Sequence, residues 1–237
     1  MIEEKQEKDL QEMEKATLFV VGTPIGNLED ITFRALRVLQ ESDAIFCEDT
    51  RVTRKLLERY EIKTSVFSYH QHSSEKVYER ILEFLREGKH IALVTDAGTP
   101  GVSDPGNMLV ERVLKEDFLT VAIPGVSSLT TLISVAGIDM QKFVFLGFVP
   151  HKKGRHTFFQ RVVSSDMPVV YYDSVHRIVK NLQLLLEKNP NVYVIVGREL
   201  TKFFEEIRRG MVSAILEYYT NNPTKIKGEF VVIVKNI

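Results

Sequence analysis

The chain lacks an excess of charge of either sign. Its 31 Lys and Arg residues stand against 32 Asp and Glu, for a formal net charge of −1. A protein that coats a polyanion by bulk charge is strongly basic, so that class is excluded and any nucleic-acid contact has to come from local patches. Cysteine is nearly absent: Cys47 stands alone. An intrachain disulfide is therefore excluded, and a reducing compartment fits. No apolar run approaches the roughly 20 residues that span a bilayer. Residues 1–15 are dominated by Glu, Lys and Gln and hold no apolar signal-peptide core, so they read as a charged tail and the cytoplasm as the expected location. Neither G-x-G-x-x-G nor G-x-x-x-x-G-K-[ST] occurs. Metal ligands are sparse too. His70-Gln71-His72 with Glu75 falls short of the three or four converging ligands of a zinc site, and no metal is expected.

What is present is enough apolar material, 44% of 237 residues, for one large domain or two small ones. Short apolar strands alternate with segments of helical spacing. Strands are predicted at Thr17–Val21, Ala44–Cys47, Thr64–Tyr69, His90–Thr95 and Leu119–Ile123. Helices are predicted at Ile31–Gln40, Thr53–Tyr60, Glu75–Arg86 and Met108–Lys115. This alternation implies an α/β layer with a largely parallel sheet. In the second half strands are predicted at Phe143–Leu146, Pro168–Tyr172, Val192–Val196 and Glu229–Val234. Helices fall at Arg155–Val163, Val175–Glu187 and Val212–Thr220. One more strand near Phe203–Arg208 would make that sheet mixed. Pro124-Gly125 marks the expected boundary, giving a tail at 1–15, an N-terminal α/β domain at 16–123 and a C-terminal α/β domain at 124–237.

Three loops rich in Gly and Pro follow strands of the first half: 22–27, 96–106 and 124–128. Ligands of open α/β sheets bind at the carboxyl ends of strands, and glycine lets backbone approach a ligand closely. The stretch 96–106 is longer than the two to six residues or so of an ordinary strand-to-helix turn. None of the three loops carries a lysine for a triphosphate. A neutral or zwitterionic ligand with an adenosine part suits them better. Glu48-Asp49-Thr50-Arg51 puts two carboxylates and an arginine at a strand end. Two readings stay open for it: chemistry, or a helix start capped by Asp49 or Thr50 with Arg51 solvated. Cys47 reads as a small packed residue. Basic residues cluster at 151–156, at Arg51, Arg54 and Lys55, at Arg208-Arg209, and at Lys225-Ile226-Lys227. Each alone is an ordinary solvated face, and together they offer the local patch that RNA binding would need.

Gly22-Thr23-Pro24-Ile25-Gly26-Asn27-Leu28-Glu29-Asp30-Ile31-Thr32 resembles the amino-terminal loop of the tetrapyrrole-methylase-like family of S-adenosylmethionine-dependent methyltransferases. The loop at 96–106, Ile123-Pro124-Gly125-Val126-Ser127-Ser128 and Lys227-Gly228-Glu229-Phe230-Val231-Val232 are similar to further family segments. Cys47-Glu48-Asp49-Thr50-Arg51, Asp96-Ala97-Gly98-Thr99-Pro100-Gly101 and Gly197-Arg198-Glu199-Leu200-Thr201-Lys202 resemble one branch in particular, which methylates a cytidine 2′-oxygen of small-subunit ribosomal RNA. The resemblance runs in order from Thr17 to Val234.

That resemblance implies two α/β domains with the cofactor in the cleft between them, a homodimer, and S-adenosylmethionine as methyl donor. It places cofactor contacts at Ile25, Gly98, Thr99, Val102, Ser127, Ser128, Phe148 and Pro150. Glu48, Asp49 and Glu199 are candidate bases or orienters. Arg51, Arg198 and Lys202 are candidates for phosphate or a developing oxyanion. Lys152, Lys153 and Arg155 are candidate RNA contacts. Tetrapyrrole-modifying members carry Gly-Asp-Pro in the central loop where Gly98-Thr99-Pro100 stands here, which favours RNA. Two alternatives are a tetrapyrrole-type small-molecule methyltransferase and a non-catalytic RNA-binding ribosome-assembly factor.

Overall fold

A computed structural model describes residues 16–70 and 73–237. The charged tail and the pair Gln71 and His72 lie outside the described residues. The chain divides into two compact units, Met1–Ser127 and Ser128–Ile237.

The first unit is a five-stranded sheet of β1 (Thr17–Val21), β2 (Ala44–Cys47), β3 (Val66–Ser68), β4 (Ile91–Val94) and β5 (Leu119–Ile123), in the order β3-β2-β4-β1-β5. Every pairing is parallel. Its helices are α1 (Phe33–Glu41), α2 (Thr50–Arg59), α3 (Glu75–Arg86) and α4 (Asn107–Lys115). Alternate strand residues face opposite layers, which is why the strands read as continuous apolar runs. Leu18, Phe46, Ile91 and Leu93 pack on one side with α3 and α4; Val21, Ile45, Ala92 and Val94 pack on the other with α1 and α2.

The second unit has β6 (Val144–Phe148), β7 (Val169–Ser174), β8 (Val192–Arg198), β9 (Glu206–Met211) and β10 (Glu229–Asn236), in the order β6-β7-β10-β8-β9. Only β6 and β7 run parallel; the other pairs are antiparallel, so this sheet is mixed. Helices α5 (Ser128–Ser134), α6 (Arg155–Val163), α7 (Ile178–Lys188) and α8 (Val212–Asn221) complete it. Phe159, Leu182, Leu185, Ile215 and Tyr219 from α6, α7 and α8 share one core with Tyr171, Val194 and Val232.

Among the boundaries that differ from the sequence expectation, four starts have a visible local reason. Helix α1 begins at Phe33 because the Thr32 side chain accepts from the Ala35 amide and Leu28–Asp30 forms a separate turn. Helix α2 begins at Thr50, earlier than expected, because Asp49 caps it. Helix α7 begins at Ile178 because the Arg177 amide first closes a turn onto the Ser174 carbonyl. Strand β9 begins at Glu206 because residues 199–205 form a hydrogen-bonded loop.

Candidate active site

Parallel pairing carries the ends of β1, β2, β4 and β5 to one edge of the first unit. The chain leaves β1 toward β2 on one side and β4 toward β5 on the other. Loops after two such neighbouring strands are where ligands bind in doubly wound sheets. The loops are knit by backbone. The Thr23 amide donates to the Gly98 carbonyl at 2.8 Å and the Gly98 amide returns a bond at 3.0 Å. The Thr23 hydroxyl donates to the Thr95 carbonyl at 3.1 Å. A Cβ on Gly22 would sit 2.7 Å from the Gly125 Cα, and one on Gly125 would sit equally close to Gly22. Real side chains never tolerate that approach, so both positions need glycine. Gly98 has φ +78°, in the left-handed region, with Ile25 and Val126 closest to its missing side chain. Thr99 reaches the Val126 carbonyl at 3.5 Å. Ile25, Gly98, Thr99 and Val126 therefore share one floor. The Val102 amide closes a turn onto the Thr99 carbonyl, and Ser127 ends the unit on the last of the three loops.

Beside this floor the end of β2 meets the start of the β4 loop. The Asp96 carboxylate accepts from the Asp49 amide at 2.8 Å, a tie that sequence reading did not assign, although an acidic residue one strand over was its visible signal. Asp49 itself caps α2: its Oδ1 accepts from the Arg51 amide at 2.8 Å, and Arg51 Nη2 donates to Oδ2 at 2.6 Å. The side-chain and backbone bonds from Arg51 hold the Asp49 carboxyl down to about 2, far too low for a good proton acceptor near neutrality. Arg51 is 86% exposed in its side chain and already paired. Glu48 differs. Burial first, then the Asp96 charge, raise its carboxyl above the ordinary value, with His70 opposing. His70 Nε2 lies 2.8 Å from the Ser68 hydroxyl at the end of β3. Of the acidic pair, Glu48 is the group with proton affinity to use. Burial also raises the Cys47 thiol, as suits a packed residue.

In the second unit Glu199 sits in left-handed backbone at φ +51° under Gly228, where any side chain would collide with its carboxyl. Its Oε1 accepts from the Glu229 amide and from Lys202 Nζ, each at 2.9 Å. Burial would raise the Glu199 carboxyl, but Lys202 and the amide outweigh it and hold the group low. Lys202 also donates to Glu229 at 2.9 Å. Arg198, expected to hold phosphate or an oxyanion, is corrected to a structural group. It is 4% exposed, and its Nη2 donates to the Phe204 carbonyl at 2.9 Å.

A bulge in the β6–β7 pairing lets Phe148 stand 56% exposed beside Tyr172, with ring centroids 5.0 Å apart. The Ser128 hydroxyl lies 3.4 Å from the Tyr172 hydroxyl. Tyr172 thus stands beside two candidate cofactor contacts, Phe148 and Ser128. Pro150 follows, partly buried, and Lys152 and Lys153 are exposed. Arg155 departs from them: it is half-buried at the start of α6, its charge acts on Asp173, and its Nε is sheltered without a hydrogen-bond partner. Among the described residues no three His, Cys, Asp or Glu side chains gather as a metal site requires, and no helix is long and apolar enough to cross a membrane.

The profile of the tetrapyrrole (corrin/porphyrin) methylases matches residues 17–216. The chain belongs to that family. It is 41% identical over 231 residues to "Ribosomal RNA small subunit methyltransferase I" of Halalkalibacterium halodurans, covering 97% of this chain and 79% of that one. Proteins of the same name from Leptospira biflexa and Thermotoga maritima are 42% and 41% identical. These cover 94% and 92% of this chain, and 92% and 97% of theirs. Among solved structures, diphthine synthase aligns over 93% of this chain and 90% of its own with a TM-score of 0.72 at 15% identity. Uroporphyrin-III-C-methyltransferase of Thermus thermophilus aligns over 93% and 94% at 0.66 and 17%. At such identities the structures speak for the fold alone.

Proposed function

We propose that this protein transfers the methyl group of S-adenosylmethionine to the ribose 2′-oxygen of a cytidine in small-subunit ribosomal RNA. One observation carries the reading: identity near 40% over almost the whole chain to several proteins whose shared name specifies that RNA. The loop floor suits the donor. No lysine or arginine occurs in 22–27, 96–106 or 124–128, and the nearby carboxylates of Glu48 and Asp96 favour a cation over a polyphosphate. Ile25, Gly98, Thr99, Val102 and Ser127 are the proposed contacts from the first unit, and Ser128, Phe148 and Pro150 from the second. When bound, S-adenosylmethionine supplies a methyl carbon activated by its positive sulfur.

The chain's own residues then have three tasks. The backbone floor orients, which is the larger share of rate enhancement when the electrophile is already activated. Glu48 would take the proton of the attacking ribose hydroxyl. Glu199 with Lys202 is the second candidate pair; its lowered carboxyl makes it an orienter rather than a base. Asp49 and Arg51 set the start of α2 and so fix Glu48 beside it. Lys152 and Lys153 hold RNA phosphate. Their joint replacement by Ala is expected to reduce the slope of log affinity against log salt by about one unit per lost contact. We place the protein in the cytoplasm as a homodimer. The reading is tested by incubating it with S-adenosylmethionine carrying a labelled methyl, offering small ribosomal subunits in one arm and a corrin or porphyrin precursor in the other. Label in the RNA is expected; label only in the tetrapyrrole overturns the proposal.

A further inference from the structure

The loop between β8 and β9 presents two phenylalanines to solvent. Phe203 is 94% exposed and Phe204 66%. They meet edge to face, with centroids 4.9 Å apart. Neither ring fills a core, and exposed adjacent aromatics mark a contact surface.

The backbone beneath them is held in place. Glu199 and Thr201 both adopt positive φ, at +51° and +65°. Such strain persists only where the surroundings over-determine it, and here they do. The Lys202 amide donates to the Glu199 carbonyl and the Glu205 amide to the Lys202 carbonyl, each at 3.0 Å. The Thr201 amide donates to the Glu205 carboxylate at 2.6 Å. Leu200 is buried. Buried Arg198 clamps the Phe204 carbonyl at 2.9 Å and reaches the Lys227 carbonyl at 3.5 Å, so one guanidinium ties the aromatic loop to the basic stretch 225–227.

Cations surround the same place. Glu206 lies 3.9 Å from Arg198, 3.3 Å from Arg208 and 3.7 Å from Lys225. Glu206 is thus shared by three cations, while Glu199 and Glu229 pair with Lys202 and Glu205 holds the Thr201 amide. Arg208 and Lys225 keep nearly half of their side-chain surface in water. Arg208 and Lys225, one residue from each of two basic clusters noted in the sequence, thereby meet at one carboxylate, whereas Arg209 donates to the Val135 carbonyl. Cores of protein–protein interfaces are depleted of charge. Aromatic faces flanked by cations are instead what single-stranded nucleic acid requires, because every unpaired base has a face to stack and a phosphate to neutralise.

We propose that Phe203 and Phe204 form a preorganised stacking platform for unpaired bases of the RNA, with Arg208 and Lys225 as its phosphate contacts. The inference rests on the reading that the substrate is RNA. Its test is binding of a fluorescein-labelled single-stranded oligoribonucleotide, and of the same strand annealed to its complement, to the full chain by fluorescence anisotropy. Replacing both rings, F203A with F204A, is expected to weaken single-strand binding about tenfold or more, the effect of losing one stacked base. Duplex binding and S-adenosylmethionine affinity stay unchanged. Tyr at both positions is expected to restore binding, because it keeps the ring face, and Leu at both positions is expected not to. An alanine pair that folds and binds single strands like the wild type overturns the platform, as does a leucine pair that binds equally well. A fall in mass by light scattering with unchanged RNA affinity would assign the rings to a second copy of this chain and also overturn it. Wild-type protein that binds no RNA at all removes the proposed function together with the platform.

Discussion

The two units hold the ends of their strands by different means. In the first, loops meet backbone to backbone: Thr23 pairs with Gly98, and Gly22 abuts Gly125. In the second, loops are held by buried or half-buried ionic side chains: Arg198 with Glu206, and Lys202 with Glu199. Glycine lets the loop backbones meet directly and form a floor without side chains, which suits a small ligand. Ionic clamps fill the space beneath a loop and fix what it displays outward, which suits a macromolecule.

The largest difference between the units is expected at Arg198. Arg198→Met leaves Glu206 with one cation fewer and strands two carbonyls, so a loss of about 3–5 kcal/mol is expected, read as a lower urea midpoint. Next comes the acidic pair beside the floor. Glu48→Gln is expected to slow methyl transfer about a hundredfold with cofactor affinity intact. Asp49→Asn still caps α2 through its amide oxygen and is expected to turn over at close to the wild-type rate; the reverse ranking in a single-turnover assay would move the base to Asp49. Gly125→Ala forces a methyl into the Gly22 backbone and is expected to cost about 1–3 kcal/mol, with calorimetry showing weakened S-adenosylmethionine binding. A folded variant of undiminished affinity would refute the shared floor.

The smallest effect is a pH slope. Burial pushes the Asp173 carboxyl up from 3.8 to about 6, against bonds from Asn181 and the Ser174 amide and the charges of Arg177 and Arg155. A raised carboxyl favours the protonated folded state. Its contribution to stability is complete below 3.8 and lost as pH rises through about 6. Asp173→Asn is expected to flatten the dependence of the urea midpoint on pH across that window; an unchanged slope would show that another group carries it.

Much of the fold was legible because the strands are short apolar runs and the helices carry clear spacing. Strands β1, β2 and β5 and helices α3 and α6 begin and end at the predicted residues. The starts of α1, α2, α7 and β9 were misplaced because side-chain caps and turns, such as those of Thr32 and Asp49, decide them, and hydrophobic periodicity is blind to these. At the site, the three Gly/Pro-rich loops were visible as candidates. The opposite shifts of the Glu48 and Asp49 carboxyls were not, because they depend on Asp96 and Arg51 reaching them in space. Arg198 looked like a phosphate ligand for the same reason: nothing in the residues Gly197-Arg198-Glu199 says that its guanidinium turns inward.

The most direct test is nucleoside mass spectrometry on small-subunit RNA, after reaction of the purified protein with S-adenosylmethionine and unmodified small ribosomal subunits. One new nucleoside is expected, a cytidine methylated on its ribose oxygen, formed by the wild type and strongly reduced with Glu48→Gln. A methyl group on a base, or RNA left unmethylated by folded protein that binds S-adenosylmethionine, would contradict it.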